Sequence, residues 1–342
     1  MENIDFKNII NKNNNSIKNI FNFIKNKNWN ELHRFINNNN IDYNVKDINN
    51  TYFIEYIIIN NKINILKSLL KYKNIRIDIE LDFNKSLLYN IIKFSFYDIL
   101  SLLLKYNINS IGNNILEIKD NNGNIPLFYA INFNNIECLN IILKYHNNFF
   151  ITNNNLNDAL HLAILTDNPD IFKIIFIKYN NLNYKNKDGE NYLNSIIKYK
   201  KYSIIKLFLQ KFIKTNNYQN IINSTDNKNL SILHYININM DLFSLEIIYK
   251  FNLLKFINFN IQDISGNIFY HYFINNIINF DKIDKNDSHI INNMFNIFNK
   301  LKFNINLYNI DGDTPGHILF NNINDLIINK FNFITEDIIK LS

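Results

Sequence analysis

Few residues in this chain could perform chemistry: seven histidines and one cysteine, Cys138. Histidine serves as a general base or a metal ligand, and a cysteine thiolate serves as a nucleophile. However, His33, His146 and His289 have no cysteine close to them in the sequence, and no H-E-x-x-H pair is present. The sequence therefore predicts neither a bound metal nor a cofactor.

Motifs of the common enzyme families are also missing. The chain has no G-x-S-x-G nucleophile elbow, no glycine-rich phosphate loop and no kinase signature. Residues 311–314, Asp-Gly-Asp-Thr, are superficially similar to a metal-dependent phosphatase motif, but they fall in a repeated turn described below. Cys138 lies on the apolar side of a helical segment, where core packing is its expected role. The sequence predicts that the protein is not an enzyme.

The composition indicates an AT-rich genome. Asn occurs 76 times and Ile 68 times among 342 residues, whereas Ala occurs 3 times and Val once. The codons of Asn, Ile, Lys, Phe and Tyr are AT-rich, so an asparagine carries less functional meaning here than usual. The 6 glycines and 3 prolines exclude a linker-rich or collagen-like chain, and one cysteine excludes a disulfide framework.

The first residues and the apolar segments predict the location of the protein. The start, Met-Glu-Asn-Ile-Asp-Phe-Lys, has no apolar core of a secretory signal. No apolar run approaches the roughly 18 residues that a membrane-spanning helix needs. We expect an intracellular, cytoplasmic protein without a membrane partner.

The net charge of +6 comes from 36 basic and 30 acidic residues, of which only Arg34 and Arg76 are arginines. Recognition of phosphates and base edges relies on the planar guanidinium group of arginine. Nucleic acid is therefore not the favoured partner. Scattered lysines nevertheless leave nucleic-acid or anionic-surface binding as the alternative interpretation.

A short signature, Lys or Arg followed by Tyr or Phe, ends nine apolar stretches of the chain. Most successive copies lie 33–39 residues apart, a period typical of repeat proteins. The apolar residues before each copy follow the spacing of a buried helix face. We interpret the signature as the end of a helix. The copies begin at Arg34, Lys71, Lys105, Lys144, Lys178, Lys211, Lys250, Lys302 and Lys330.

Asparagine follows most of these helix ends. A helix often stops on a residue with left-handed backbone geometry, usually Gly and sometimes Asn. Because the chain has only 6 glycines, we expect Asn to take this position. The predicted left-handed residues are Asn74, Asn107, Asn147, Asn180, Asn252, Asn304 and Asn332.

The other half of each repeat carries a stronger motif. Residues 120–130 read D-N-N-G-N-I-P-L-F-Y-A, residues 158–163 read D-A-L-H-L-A, and residues 309–319 read N-I-D-G-D-T-P-G-H-I-L. The same pattern occupies residues 226–236 and 263–273 and, more loosely, residues 186–196. This pattern resembles the ankyrin repeat, D-x-x-G-x-T-P-L-H-x-A with a period of about 33 residues.

The resemblance implies a structural role for each matching residue. In the ankyrin family, Asp and Gly shape a projecting turn, Thr-Pro opens the first helix, His ties adjacent units together, and Ala lets the helices approach. Leu of the motif is buried in the core. The matching residues are Gly123, Gly189, Gly266 and Gly312, then Pro126, Thr314 and Pro315, then His161, His234, His271 and His317, then Ala130 and Ala163, and finally Leu127, Leu160, Leu193 and Leu233.

The resemblance implies an all-α fold, an ankyrin-repeat solenoid of about eight to nine helix-turn-helix units. We expect residues 1–342 to form a single solenoid, with clearer repeats over 119–334 and degenerate repeats over 16–118. We expect residues 335–342 to form a short C-terminal cap. Two insertions, 213–225 and 275–288, are expected to project as loops.

A solenoid without catalytic residues offers a long surface for binding another protein. We expect a monomeric protein–protein interaction module, an adaptor or scaffold, whose partner is another protein. Nucleic-acid or anionic-surface binding through distributed lysines is the alternative. A third interpretation is an aggregation-prone, Asn-rich chain, but its longest Asn run is only four residues, 37–40, and the apolar period is sustained.

In the ankyrin family, variable positions beside the turn glycine and at the end of the first helix contact partners. Carried over to this chain, Phe133 and Tyr199 become aromatic anchors on an exposed groove. Charged Lys187, Asp188 and Glu190 are expected to tune selectivity at its rim. The other predicted contact residues are Asn121, Asn122, Asn124, Leu165 and Thr166.

The composition suits a large DNA virus or a protist, and for a virus the expected location is the host cytoplasm. Ankyrin-repeat proteins of such viruses often carry an F-box-like segment after the repeats. Only about a dozen residues follow the last unit here, too few for an F-box. We therefore keep the prediction of an adaptor that only binds a partner.

Overall fold

The computed structural model describes residues 6–71, 75–79, 86–109, 114–146, 148–279, 285–301 and 303–322. Over these residues the regular structure is helical, with isolated bridges such as that between Lys46 and Tyr52. The all-α prediction is confirmed. The predicted cap, 335–342, lies outside the described residues.

The chain divides into two compact units, Met1–Asn154 and Asn155–Ser342. Within the described part of the first unit, consecutive helices form four helix-turn-helix pairs. They are α1 (Phe6–Lys25) with α2 (Trp29–Asn38), α3 (Phe53–Ile59) with α4 (Ile63–Leu69), α5 (Leu87–Lys93) with α6 (Tyr97–Asn109), and α7 (Pro126–Asn132) with α8 (Ile136–Ile142). The first helices of successive pairs also pack together, as α3 with α5 and α5 with α7.

The second unit repeats this arrangement over its described residues. Its helices are α9 (Ala159–Thr166) with α10 (Pro169–Phe176), α11 (Tyr192–Lys198) with α12 (Tyr202–Phe212), the short α13 (Tyr218–Ile222), α14 (Ile232–Ile238) with α15 (Leu242–Lys250), α16 (Phe269–Asn279) with α17 (Lys285–Phe298), and α18 (Pro315–Asn322). The helices α9, α11, α14, α16 and α18 pack in this order. The organisation of all 342 residues as one solenoid stays a prediction.

Polar side chains ahead of the helices explain where several of them begin. The side-chain oxygen of Asn135 accepts a hydrogen bond from the backbone N–H of Cys138, and that of Asp158 accepts one from the N–H of His161. Asn168 accepts from two N–H groups of α10. These bonds satisfy donors that the first helical turn leaves without a partner. Asparagine therefore caps helices in a chain that is poor in Thr and Ser caps.

The tight turn inside each helix pair contains one left-handed residue wherever the structure describes that turn. Asn134, between α7 and α8, has a φ of 54°, and Asp167, between α9 and α10, has a φ of 55°. The chain reverses within a few residues here, and the left-handed conformation allows the sharp turn. The same position is held by Lys27, Asn61, Ser95, Lys200 and Met240.

The prediction of left-handed asparagines after the second helices is wrong for most of the described positions. Asn107 lies inside α6, and neither Asn180 nor Asn304 is left-handed, whereas Asn252 has a φ of 55°. The physical reason is that the sharpest reversal occurs inside each pair. The remaining positions, Asn74, Asn147 and Asn332, lie outside the described residues.

Neither predicted insertion is simply a projecting loop. Residues 275–279 lengthen α16, and residues 285–288 open α17. Residues 213–225 contain the short helix α13, which buries Ile221 and Ile222. Residues 280–284 lie outside the described residues. Buried Ile221, Ile222 and Ile277 explain the difference in the described parts, because burying apolar side chains stabilises a packed helix over an exposed loop.

The motif leucines and alanines lie in the core. The buried set has exposures of 0–1% and consists of Leu127, Leu160, Leu193, Leu233, Ala130 and Ala163. Alanine at a helix contact leaves room for the neighbouring backbone, while leucine fills the space between adjacent pairs. This packing holds the loops and helix ends that form the candidate site.

Candidate protein-binding groove

A polar side chain builds the loop that precedes the first helix of most repeats. In residues 120–124, Asp120 Oδ1 accepts hydrogen bonds from the N–H groups of Asn122 (2.9 Å) and Asn124 (2.7 Å). Gly123 has a φ of 77°, in the left-handed region that glycine adopts most readily. We call these loops the finger loops. Others with the same bonding begin at Asp47, Asn186, Asp226, Asp263 and Asn309.

Backbone hydrogen bonds join successive finger loops within a unit. In the second unit the N–H of Asn227 donates to the carbonyl of Asp188 at 2.9 Å, and the N–H of Ile264 donates to the carbonyl of Lys228 at 3.1 Å. The N–H of Ile310 donates in the same way to the carbonyl of Ser265 at 3.0 Å. The finger loops are thus held side by side.

Three histidines tie a first helix to the finger loop of the next repeat. Nδ1 of His234 accepts a hydrogen bond from the N–H of Ser231, so Nε2 carries the proton and donates to the carbonyl of Asn267 at 3.0 Å. Nε2 of His271 and of His161 lies 3.1 Å and 3.3 Å from a carbonyl of the following loop. Burial lowers the pKa of His234 and of His271. These imidazoles hold the loops in place.

A tyrosine nine residues after the loop aspartate adds a further bond. Tyr235 donates to Asp226 Oδ2 at 2.6 Å, and Tyr272 donates to Asp263 Oδ2 at 2.5 Å. Burial, followed by the bond to the carboxylate, raises the pKa of both phenols, which remain protonated donors. The constant separation of nine residues is the sequence signal that reveals these pairs, and the ankyrin pattern alone does not contain it.

Glu190 departs from its expected place on an exposed rim. Its side chain is fully buried and forms an ion pair with Lys198. It also accepts hydrogen bonds from Ser195 Oγ and Asn186 Nδ2, both at 3.3 Å. This repeat has Ser195 where others have tyrosine, and Asn186 where others have aspartate. The Glu190 carboxylate therefore supplies the negative charge that the loop residue lacks.

Lys198 completes this buried arrangement from the end of α11. Burial is the largest single effect and opposes its charged form, but the hydrogen bond to Glu190, the charge of Glu190 and smaller contributions from Tyr199 together raise the pKa of Lys198 above its ordinary value. The ammonium group also lies 5.2 Å from the ring centre of Tyr199 and 5.7 Å from that of Tyr235. Both rings favour the cation.

The predicted contact residues of the first unit lie on a finger loop and at the end of α7. Asn121 and Asn122 are exposed, and Asn124 is half-buried. Phe133 is 40% exposed, and its ring centre lies 5.6 Å from that of Tyr89. An aromatic surface therefore lies beside the polar loop.

The predicted contact residues of the second unit surround a cavity of about 280 Å³. Leu165 and Tyr199 are 39% and 41% exposed, and Lys187 and Asp188 lie exposed on the adjacent finger loop. All four line the cavity. Thr166 is half-buried, and its hydroxyl donates to a carbonyl of its own helix at 2.9 Å.

A second cavity of about 510 Å³ adjoins the first in the same unit. Asp188 and Tyr199 line both cavities, and Tyr235 and Ile238 extend the lining to the next repeat. Ile238 is 40% exposed. We call the surface formed by these four residues with Leu165 and Lys187 the Tyr199 groove.

Comparison with known proteins identifies the fold and the nature of the repeats in part of the chain. A model of ankyrin repeats, in three copies, matches residues 54–155 and 110–186. The crystal structure of the ankyrin repeat domain of Bcl-3, from the IkappaB protein family, is similar with a TM-score of 0.52. Residues 54–186 are therefore ankyrin repeats. The similarity to Bcl-3 covers 72% of this chain and 97% of that chain at 16% identity, and it establishes the shared fold alone.

A relative in sequence is an ankyrin repeat protein of Acanthamoeba polyphaga mimivirus, 38% identical over 138 residues. The match covers 38% of this chain and 18% of the relative. The chain therefore corresponds to less than a fifth of the length of that relative. The relative comes from a large DNA virus, one of the two sources that the composition predicts.

Phe94 is an exposed aromatic residue of the first unit that the sequence motif did not reveal. It follows the first helix of its repeat as Phe133 does, and it is 47% exposed. Phe94 lies seven residues after Leu87, just as Phe133 lies seven residues after Pro126. The degenerate repeat lacks Gly and His, so only counting from the helix start shows that Phe94 is equivalent to Phe133.

The other residues that could act as nucleophiles or ligands are buried or bonded to nearby protein groups. Burial raises the pKa of the Cys138 thiol to about 12, so the thiol stays protonated. His33 and His146 bind a serine hydroxyl and a backbone carbonyl, at 2.9 Å and 2.7 Å. Residues 311–313 form the finger loop of Asn309. Among the described residues, no group of three or more His, Cys, Asp or Glu could hold a metal ion.

The apolar character of the helices and the contacts of the lysines bear on membrane insertion and on anion binding. In the part of the chain that the structure describes, no helix has the length and apolar character to cross a membrane. Lysines at helix ends contact backbone carbonyls: Lys211 Nζ lies 2.9 Å from the carbonyl of Phe176, and Lys201 Nζ lies 2.9 Å from that of Leu165. These lysines stabilise the negative ends of neighbouring helices.

Proposed function

We propose that this protein is an adaptor or scaffold that binds another protein and has no catalytic activity. Ankyrin repeats are generally protein–protein interaction modules, because stacked repeats present an extended surface. The observation that carries the proposal is the exposure of Phe133 and Tyr199, 40% and 41%, directly after the first helix of their repeats. Exposed aromatic residues beside polar groups are typical anchors of protein interfaces.

The polar surroundings of these aromatics support a protein partner. Lys187 and Asp188 carry opposite charges beside Tyr199 and are both exposed. Opposite charges at a rim favour selection among protein surfaces over binding to a uniformly anionic polymer. Asn121 and Asn122 offer amide donors and acceptors beside Phe133, which suits hydrogen bonding to a partner backbone.

The residues with catalytic potential support a function without chemistry. His161, His234 and His271 are bonded to finger-loop carbonyls, and Cys138 is buried in α8. Each of these side chains therefore contributes to packing or to loop position, which is a sufficient reason for its presence.

Capture of partners by the full-length protein tests the proposal. Tagged wild type and the double variant Phe133→Ala with Tyr199→Ala are incubated with lysate of native or host cells, and captured proteins are quantified by mass spectrometry. We expect the variant to capture at least about tenfold less of the specific partner than wild type does. The reason is that aromatic anchors typically contribute about 2 kcal/mol or more each to binding.

A double variant of similar exposure on second helices serves as the control. Tyr97 and Tyr249 are 38% and 47% exposed and lie on α6 and α15. Tyr97→Ala with Tyr249→Ala should retain the partner. If Phe133→Ala with Tyr199→Ala folds normally by circular dichroism and retains every partner at full strength, the assignment of these two aromatic residues as partner anchors is wrong.

We also propose that the protein acts as a cytoplasmic monomer. A free, buried cysteine suits a reducing compartment. Light scattering coupled to size-exclusion chromatography should give the mass of one chain, 40.9 kDa. A mass twice as large, or secretion of a tagged protein from host cells, contradicts this part of the proposal.

A further inference from the structure

A separate groove lies at the N-terminal end of the first unit, between α1 and the finger loop of Asp47. It encloses a cavity of about 800 Å³, within the usual size range of ligand and peptide pockets. The cavity is lined by Ile17, Phe21 and Ile24 from α1 and by Ile48 from the finger loop. We call this surface the N-terminal groove.

The wall of the N-terminal groove is an apolar stripe. Ile17, Phe21 and Ile24 are spaced i, i+4 and i+7, so they lie on one face of α1. Phe21 and Tyr56 form the floor, with ring centres 6.1 Å apart. The stripe extends over two helical turns, about 10 Å along the helix axis.

Ile48 is the most exposed large apolar residue of this surface. It lines the cavity, and its side chain is nevertheless 100% exposed. The corresponding residue is polar in three other finger loops and an isoleucine in two, Ile264 and Ile310, which are 65% and 73% exposed. Ile48 differs from both by its full exposure and by its place beside the apolar stripe of α1. An isoleucine at the tip of a solvated loop gains free energy when a partner covers it.

The rim of the N-terminal groove is positively charged. Lys18, Lys25 and Lys46 line the cavity, and no ion pair joins them to a carboxylate in the part of the chain that is described. The acidic residue in the lining, Asp47, is bonded to two N–H groups of its own loop and to the hydroxyl of Tyr56. Its charge is therefore partly satisfied by the loop.

We propose that the N-terminal groove binds an acidic amphipathic helix of a partner protein. This inference rests on the proposed function and specifies the chemistry of one partner segment. Large apolar side chains at i and i+4 of that helix enter the cavity and cover Ile48, and carboxylates beside them pair with Lys18, Lys25 and Lys46. Helices that bind grooves use this combination of apolar anchors and charged flanks.

Binding of designed peptides to the full-length protein tests this inference. The probes are three fluorescent helical peptides of about 18 residues, or five turns. The first has Leu on one face and Glu beside it, the second has Lys in place of Glu, and the third has Ser in place of Leu. Fluorescence anisotropy should show binding of the first peptide and at least tenfold weaker binding of the other two. Added salt should weaken binding of the first peptide, because screening reduces charge pairing.

Two variants locate the binding surface. Ile48→Asp, and Lys18→Glu combined with Lys25→Glu, should each weaken binding of the acidic peptide at least tenfold. Their side chains are exposed, so the fold should persist, which circular dichroism checks. The matched controls are Ile177→Asp, at a residue that is 73% exposed, and Lys67→Glu combined with Lys206→Glu on second helices. The controls should bind as wild type does.

The outcomes separate this inference from the proposed function. Equal binding of the three peptides, or wild-type binding of the acidic peptide by Ile48→Asp, contradicts helix binding at the N-terminal groove. This holds even when partner capture still depends on Phe133 and Tyr199. Conversely, helix binding at the N-terminal groove is supported when the acidic peptide binds selectively and both Ile48→Asp and the double lysine variant lose this binding. That support stands even when Phe133→Ala with Tyr199→Ala captures every partner normally.

Discussion

Asparagine side chains form specific bonds between repeats as well as capping helices. Nδ2 of Asn154 donates to the carbonyl of Asn121, and Nδ2 of Asn227 donates to that of Lys187, both at 2.8 Å. Codon bias explains why asparagine is abundant, but not which copies are structural. The bonding partners lie 33 and 40 residues away, so a local pattern in the sequence does not identify them.

Two finger-loop glycines provide a matched test at single positions. Gly123 and Gly312 have similar φ angles, 77° and 79°. A Cβ added at Gly123 would lie 2.8 Å from the backbone nitrogen of Asn154, whereas one at Gly312 would have no atom within 4 Å. Both Gly→Ala variants carry a left-handed penalty of about 1–2 kcal/mol. We expect Gly123→Ala to lower the free energy of unfolding by at least about 1 kcal/mol more.

Urea denaturation of the two alanine variants measures this difference. Equal losses of unfolding free energy would show that the neighbouring finger loop does not constrain Gly123. A larger loss of unfolding free energy for Gly312→Ala than for Gly123→Ala would contradict the close packing of Gly123 against Asn154.

Buried histidines should make stability depend on pH. The pKa of His234 and of His271 is lowered mainly by burial. Below the ordinary histidine pKa of about 6.5, the unfolded chain therefore binds more protons than the folded chain. We expect the free energy of unfolding to be fully retained above this pH and to fall as the pH decreases toward the lowered values.

Denaturation at a series of pH values between about 7.5 and 5 tests the histidine prediction. The variants His234→Gln and His271→Gln should each have a shallower decrease than wild type. His289→Gln, at an exposed position, is the control and should follow the wild-type curve. Identical slopes for all four proteins would contradict the prediction.

At the scale of helices and loops, the repeat pattern predicted the helix pairs well. Pro126 and Pro315 begin α7 and α18, because proline fits the first helical turn. The sequence did not predict that Glu190 is buried, since its partner Lys198 lies eight residues away on the next helix. A charged residue in a loop is usually solvated, and only the surrounding structure reveals the pair.

The register of the repeats can be tested on one helix. Leu160 is fully buried and Leu165 is 39% exposed, although both lie in α9. Leu160→Ala should cost about 2–5 kcal/mol of unfolding free energy, because it removes buried methyl groups and leaves a cavity. Leu165→Ala should cost less than about 1 kcal/mol. A cost below about 0.5 kcal/mol for Leu160→Ala would show that the register is wrong.

The ion pair between Glu190 and Lys198 should couple the finger loop to α11. Removing only the cation leaves a buried carboxylate, so we expect Lys198→Met to cost about 2–5 kcal/mol. Glu190→Gln combined with Lys198→Met should cost less than the sum of the two single changes. A double-mutant cycle by urea denaturation measures the coupling, and strictly additive losses would contradict the pair.

At the scale of the whole molecule, the period of the repeats predicted the architecture but not its division into two compact units. Such a division depends on contacts between distant residues, and the repeat pattern continues across residues 154 and 155. In repeat proteins each repeat contacts mainly its neighbours. We therefore expect effects of a core substitution to remain local.

Hydrogen exchange with mass spectrometry tests this locality. Leu127→Ala should increase exchange in α5, α7 and α8, which pack together, and leave α14 to α17 nearly unchanged. In wild type, we expect residues 120–200 to be the most protected, because their repeat spacing is the most regular. Equal increases along the whole chain would show cooperative unfolding of all repeats.

We propose that the finger loops and the ends of the first helices bind the partner. Hydrogen exchange of the full-length protein, with and without its captured partner, tests it most directly. We predict that the partner slows exchange in residues 121–133 and 187–199, and leaves the second helices α8 and α12 unchanged. Protection confined to the second helices, with no change in the finger loops, would contradict the account.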